Sequence, residues 1–327
     1  MKKVNSTMVA REAGVAQSTV SLVANNSSKV APETRRKVIE TARRLGYTLH
    51  PRNKRLMIGV IISRRNPIRS WQQMVLSSLK REIYDRQYRM EVICSEDIPL
   101  LHDRLVSGAI SITSDPRQNI RWQELNSIPL VRLNGYPSHL DNIYRVATDT
   151  AADFEKMYGC LYDAGHRRIA LFLDKTREQE TQEGLDVCRS FIAQAWSHGA
   201  DTDPEELISC QDARPVADRL GELLGRGVTG LIVIPGDTAL IVSRELAALG
   251  KRIPQDISLV TLEYSGVCEN WSPPLTTLAR NYPVICAEAL NLIENWLARR
   301  SVGDVLVPGE LIPRASVGAP PETERFS

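Results

Sequence analysis

From Met57 onward, short β-branched apolar runs alternate with longer stretches whose apolar positions recur every three to four residues. The runs at residues 58–62, 90–94, 109–113, 130–133, 169–173, 231–234 and 258–262 read as strands. Because they are apolar throughout rather than alternating, both faces of their sheets must be covered. Helices starting near Ser70, Thr150, Glu178, Pro215, Thr238 and Val284 supply the cover, so the pattern predicts an α/β core of parallel sheets. The first 47 residues follow another rule and predict three short amphipathic helices. Asn5 is placed to cap the first, which turns Val9, Ala10 and Ala13 inward, and Gly14 supplies the positive φ of a tight turn. Val15, Val20 and Val23 make the inner face of the second. The third opens at Ala31-Pro32-Glu33, buries Val38, Ala42 and Leu45, and stops at Gly46.

Two helices joined by a glycine turn and closed by a third form a helix-turn-helix. Its second helix presents Gln17, Ser18, Ser21, Leu22 and Asn25 outward, at the spacing that enters a major groove. Charge points the same way. Residues 1–56 hold 12 Lys+Arg against 3 Asp+Glu, a net of +9, within a chain whose total is only +2. A basic head on an acidic body neutralises phosphates with the head alone. Arg35, Arg36, Lys37, Arg43 and Arg44 are equally a solvated helix face when charge is taken by itself.

Ala13-Gly14-Val15, Thr19-Val20-Ser21, Asn25, Val30, Thr34-Arg35, Val38 and Leu45-Gly46-Tyr47 resemble the N-terminal signature of the lac-repressor-type (LacI/GalR) transcriptional regulators. Further family motifs follow in family order: Ile128-Pro129, Gly165-His166-Arg167-Arg168-Ile169-Ala170, Ile253-Pro254-Gln255-Asp256-Ile257-Ser258 and Pro273-Pro274-Leu275-Thr276-Thr277. The resemblance implies a head at residues 1–48, a basic linker at 49–56 and a two-lobed, periplasmic-binding-protein-like core at 57–327. The chain would cross between lobes near Asp149, Arg280 and Pro308. It implies a homodimeric repressor on an inverted-repeat operator, tuned by a small polar effector, with a sugar as one candidate, bound between the lobes. DNA contacts would come from Asn5, Ser6, Thr7, Gln17, Ser18, Thr19, Ser21, Leu22, Asn25 and Thr34, with Arg52, Lys54 and Arg55 on phosphates. Effector contacts would come from Ser63, Asn134, Thr181, Asp237, Glu263 and Tyr282.

The chain departs from the family pattern in several places. Thr181 stands where relatives often carry an arginine, which removes a bidentate donor. Ala16 replaces the Ser or Thr that usually caps the second helix, a loss of about 1 kcal/mol unless Ser18 takes over. Leu22 replaces an arginine, exchanging a guanine contact for van der Waals contact with a thymine methyl; the alternative is that it packs on its own bundle. The connection after Tyr47 is about five residues shorter than in relatives, and Leu49-His50-Pro51 replaces the usual Pro-Asn step, leaving little room for a hinge helix in the minor groove. Leu56 matches the wedging leucine of relatives but stands next to the first strand, so it serves either as a sheet residue or as the wedge. The short connection predicts weaker DNA bending.

Other classes find less support. Asp149, Asp174, Asp237 or Glu263 with His166 would be an enzyme's acids and base, yet no nucleophile elbow, phosphate loop or metal-ligand spacing accompanies them. His166 reads instead as fixing a helix-to-strand turn, and His102, His139 and His198 stand alone. A secreted solute receptor would share two lobes but have no use for a basic head. A regulator without a sugar ligand remains the alternative within the same class. Six dispersed cysteines without a C-x-x-C pair read as reduced, mostly buried small residues. The sequence predicts no cofactor, no membrane span and a cytoplasmic location.

Overall fold

The computed structural model describes residues 4–24, 27, 29–47, 49, 56–63, 68, 70–98, 106–113, 121–122, 128–135, 137–173, 182–210, 214–263 and 266–321. Asn25, His102, Asp174, Thr181, the helix start near Glu178 and the basic residues Arg52, Lys54 and Arg55 lie outside them. By compactness the chain divides into Met1–Ala147 with Pro283–Val305, and Thr148–Tyr282 with Leu306–Ser327.

The first unit begins with α1 (Ser6–Ala13), α2 (Gln17–Ala24) and α3 (Pro32–Arg44). Their core is Val9, Ala10, Ala13, Val20, Val23, Val30, Val38 and Ala42, with Leu45, Tyr47 and Leu49 packed against it. Val15 corrects the sequence reading: it packs on this core from the turn before α2, and Ala24 joins Val20 and Val23 on the helix's buried face. Thr41 likewise joins the inner stripe of α3.

The same unit carries a six-stranded sheet in the order β11-β5-β4-β3-β1-β2. Its strands are β1 (Met57–Ile62), β2 (Arg89–Cys94), β3 (Gly108–Ser111), β4 (Leu130–Leu133), β5 (Ile143–Thr148) and β11 (Val305–Val307). Helix α4 (Ser70–Asp85) runs between β1 and β2. Ile61, Ile93, Ala109, Leu130 and Ile143 build one apolar layer around the fully buried Trp122. Long helix α9 (Tyr282–Leu297) closes on Gly108, where a Cβ would stand 2.8 Å from the Ile293 side chain. A side chain at that position would force Ile293 to shift. Glu294 on α9 ties down two groups beyond α4: Arg86 Nη1 donates at 2.6 Å and the Tyr88 hydroxyl at 2.8 Å. Burial first, then the Glu294 carboxylate, push the Tyr88 pKa up to about 12.

The second unit holds a sheet in the order β12-β10-β9-β8-β6-β7. It comprises β6 (Ile169–Leu173), β7 (Ile208–Ser209), β8 (Gly230–Ile234), β9 (Ser258–Glu263), β10 (Thr276–Ala279) and β12 (Glu310–Ile312). Helices α5 (Thr150–Asp163), α6 (Gln182–Ser197), α7 (Val216–Gly225) and α8 (Gly236–Ala248) connect them. Phe154, Phe172, Phe191 and the aliphatic residues of β6, β8 and β9 make one continuous core. This sheet is not wholly parallel, because β12 runs antiparallel to β10 with Thr277 opposite Ile312. The apolar pattern also passed over β5, β7, β10, β11 and β12, whose residues are polar, few or at an edge.

Candidate DNA-reading face and strand-end residues

Local chemistry fixes the head. Asn5 caps α1, its side-chain oxygen accepting the Met8 amide at 3.0 Å. Gly14, at φ 64°, turns the chain and gives its amide to the end of α1. No side chain at position 16 can cap α2, and the Ala16 carbonyl accepts the Thr19 and Val20 amides. A second tie substitutes for part of the missing cap: Gln17 Nε2 donates to Ser6 Oγ at 3.1 Å, locking the start of α2 to the start of α1. Ser6 and Gln17 thus orient one another. Pro32 opens α3 with Glu33 in its first turn, and Arg43 and Arg44 sit in its last, each on the dipole end that suits its charge.

With Val20, Val23 and Ala24 inside, α2 exposes Gln17, Ser18 and Leu22, while Thr19 and Ser21 are half-buried. Leu22 retains 38% of its surface. Asn5 and Thr7 are exposed at the adjoining end of α1, and Thr34 is half-buried on α3. The Arg44–Glu12 pair spans α3 and α1 at 2.8 Å with both side chains at least half exposed, so it contributes little to holding them. Leu56 precedes β1 directly, and its carbonyl accepts the Arg89 amide at 2.8 Å, so the chain is already in sheet register there.

The strand-end residues fall on the two sheets as follows. In the first unit, half-buried Ser63 follows β1 and half-buried Asn134 follows β4 at φ 64°, its amide donating to Val146. In the second, Asp237 is exposed in the first turn of α8, Glu263 closes β9, and Tyr282, 4% exposed, starts α9 beyond β10. The side chain of Glu263 lies outside the described residues. β8, β9 and β10 are neighbours, so these three positions share one rim at the carboxyl ends of parallel strands. Gly236 sets that rim. A Cβ there would collide with the Leu262 carbonyl, so the start of α8 can press against the end of β9 only as glycine.

Two of the residues weighed for catalysis, Asp149 and His166, make structural contacts. Asp149 caps α5, accepting the Ala152 amide at 3.1 Å. His166 is fully buried, bridging Thr229 and Gly318 at 2.9 Å on either side. Asp153, which the sequence did not single out, is 2% exposed and accepts the Gly309 amide at 2.7 Å; burial raises its pKa against that bond and against Arg280 and Lys156. Arg132 and Arg145 are also new, paired across β4 and β5. An arginine inside Leu-Val-Arg-Leu was the signal available for the first. Among the described residues no cluster of three or more His, Cys, Asp or Glu could hold a metal, and no helix is long and apolar enough to cross a membrane.

A groove-reading head joined to parallel α/β units of the ligand-sensing kind defines a transcriptional regulator that binds DNA and carries an effector-binding domain. Residues 8–49 match the family of "Bacterial regulatory proteins, lacI family", and residues 159–317 match a periplasmic binding protein-like domain. The chain thus carries a lacI-family helix-turn-helix domain followed by a periplasmic-binding-protein-like domain. It is 25% identical to the HTH-type transcriptional regulator MalR of Streptomyces coelicolor, with 96% of each chain covered. Among solved structures it resembles the transcriptional regulator CelR in complex with cellobiose, at a TM-score of 0.66 and 23% identity over 96% of this chain and 100% of that one. The lac repressor dimer bound to operator and the anti-inducer ONPF matches at a TM-score of 0.65 and 22% identity, covering 97% and 100%.

Proposed function

We propose that this regulator acts as a homodimeric repressor that reads an inverted-repeat operator through Gln17, Ser18 and Leu22 and responds to a small polar effector. The face of α2 carries the reading, because burial of Val20, Val23 and Ala24 leaves those three side chains outward. Gln17 keeps its side-chain carbonyl for a base donor while its amide is tied to Ser6. Leu22 offers only an apolar surface, which suits a thymine methyl. Thr7, Thr19, Ser21 and Thr34 with the basic face of α3 position the head on phosphates, and Asn25, Arg52, Lys54 and Arg55 extend that set. The domain reading is a head at 1–48, a short basic linker at 49–56 and an effector-binding core from 57 onward. Ser63, Asn134, Thr181, Asp237, Glu263 and Tyr282 are the effector set, supported by the placement of the described ones at strand carboxyl ends. The cellobiose bound by CelR supports a carbohydrate as one such effector. The reading assigns the protein to the cytoplasm, where its operator is.

Selection of duplexes from a random pool by the full-length protein tests this. The expected product is an inverted repeat with A·T at the step beneath Leu22, bound with steep salt dependence. Bulk binding without selectivity would overturn the regulator, and a dominant guanine at that step would overturn the role of Leu22.

A further inference from the structure

Arg132 is the third residue of β4, in a strand whose four residues are all buried, and it is only 6% exposed. It lies opposite Arg145 of β5 in the parallel register. Two residues earlier on the same strands, Leu130 and Ile143 belong to the apolar layer around Trp122. The two-residue alternation of strands therefore puts both arginines on that same face, nearer the strand carboxyl ends.

Arg145 is held in place. Its amide donates to Asp304 at 2.8 Å, its Nη1 to the Gly135 carbonyl at 3.2 Å, and its Nε lies 3.4 Å from the other Asp304 oxygen. Arg132 has no such support: among the described residues its Nε and Nη2 meet no hydrogen-bond partner. The charge that balances it is Asp304, which Arg145 already engages. Two guanidinium groups thus share one carboxylate. Burial pushes the pKa of Arg132 below its ordinary value, but an arginine cannot give up its proton, so the charge must be met by something.

Arg219 in the second unit shows how the same chain treats a buried arginine that is purely structural. It is 2% exposed, and its Nε and Nη2 donate to Ser209 and to the Leu173 carbonyl at 2.9 to 3.1 Å while its guanidinium stacks 4.1 Å over Phe172. Arg132 is left with the Nε–Nη2 edge, the edge that grips an oxyanion with two parallel N–H bonds. Beside it the chain leaves β4 through Asn134 and Gly135, both at positive φ, and a Cβ on Gly135 would stand 3.7 Å from Arg132 Nη1. The residue already proposed for the effector, Asn134, therefore sits two positions from a guanidinium whose Nε and Nη2 find no partner among the described residues.

We infer that Arg132 is an oxyanion site at the carboxyl end of β4, binding a carboxylate or phosphate that belongs to the effector or is taken up as a free ion. The inference rests on the effector reading above and narrows it to an anionic ligand.

Thermal unfolding of the full-length protein at fixed ionic strength tests it, with inorganic phosphate, glucose 6-phosphate and gluconate as probes and glucose and chloride as controls. At least one anion should raise the wild-type Tm saturably. Arg132→Met should melt above wild type in chloride, since a buried charge that shares its carboxylate with Arg145 has been removed, and should lose the anion-dependent shift. No saturable shift with any of the three anions, or an equal shift in Arg132→Met, would overturn the site. Should that variant not fold, Arg132→Lys keeps the charge without the two-pronged edge, and anion affinity should fall at least tenfold; unchanged affinity would overturn the proposal. Tighter binding of glucose 6-phosphate or gluconate than of phosphate assigns the anion to the effector, and equal binding assigns a free ion. Operator retention is read separately by gel shift. Release of operator by a neutral sugar, with no anion bound, would sink this site and leave the regulator standing.

Discussion

His166 shows how one side chain ties pH to stability. Gly318 presents a carbonyl, which only accepts, so Nε2 carries the proton and Nδ1 accepts from the Thr229 hydroxyl. The neutral ring is satisfied on both sides. Burial lowers its pKa below the ordinary 6.5, the Gly318 bond opposes that shift, and Arg167 adds to it. With the folded value depressed, the unfolded chain takes up the proton first as pH falls. The stability contributed by the neutral ring is therefore complete above pH 6.5 and declines below it, by at most about 1.4 kcal/mol per pH unit. His166→Gln should unfold at lower urea than wild type at pH 7.5, and the difference should shrink at pH 5.5. Tryptophan fluorescence, to which Trp271 packed against the same core contributes, reports the transition. A gap that stays constant between those two pH values would mean that another group titrates.

At the scale of elements, the junction of β9 and α8 depends on one missing methyl. Gly236→Ala drives a Cβ into the Leu262 backbone carbonyl, which has no flexible end to yield. The expected loss is about 1 to 3 kcal/mol, the usual range for overpacking, seen as a lower urea midpoint in tryptophan fluorescence. An alanine variant as stable as wild type would show that the rim carrying Asp237 and Glu263 is not held this tightly. This junction was hidden in the sequence, where Gly236 merely stands two residues before a predicted helix start at Thr238. Strands that are largely apolar runs, such as β6 and β8, were legible because burial on both faces needs no partner information. Others were not. β10 is Thr-Thr-Leu-Ala, and its buried threonines are satisfied by tertiary partners: the Thr276 hydroxyl donates to the Arg314 carbonyl and the Thr277 hydroxyl accepts from Arg314 Nη1. The head was the most legible part, since its caps and glycine turn act within a few residues of their own positions. Val15 misled only because a helical period was extended one turn too far. Arg132 escaped notice because a residue's lack of partners is a property of the packed sheet and not of its neighbours in sequence.

For the whole molecule the decisive connection is the one between head and core, and Leu56 is its last residue before β1. The Leu56 carbonyl already accepts the Arg89 amide and the strand follows without a gap, so the sheet claims this residue. To wedge between base pairs it would have to leave the ladder, giving up a backbone bond worth about 1 kcal/mol as well as its half-buried packing. A wedge opens a base step and bends the duplex toward the major groove; without it the heads rest on a straighter operator, held by phosphate contacts and by the face of α2. In circular-permutation gels the complex should therefore migrate almost independently of where the operator lies in the fragment. Leu56→Ala should lower the melting temperature of the protein by a few degrees and leave operator affinity within about twofold, because what it removes is packing on the sheet. A strongly position-dependent mobility that Leu56→Ala abolishes, together with a large loss of affinity, would place the leucine in the DNA and require the first turn of the strand to unpair when operator is bound.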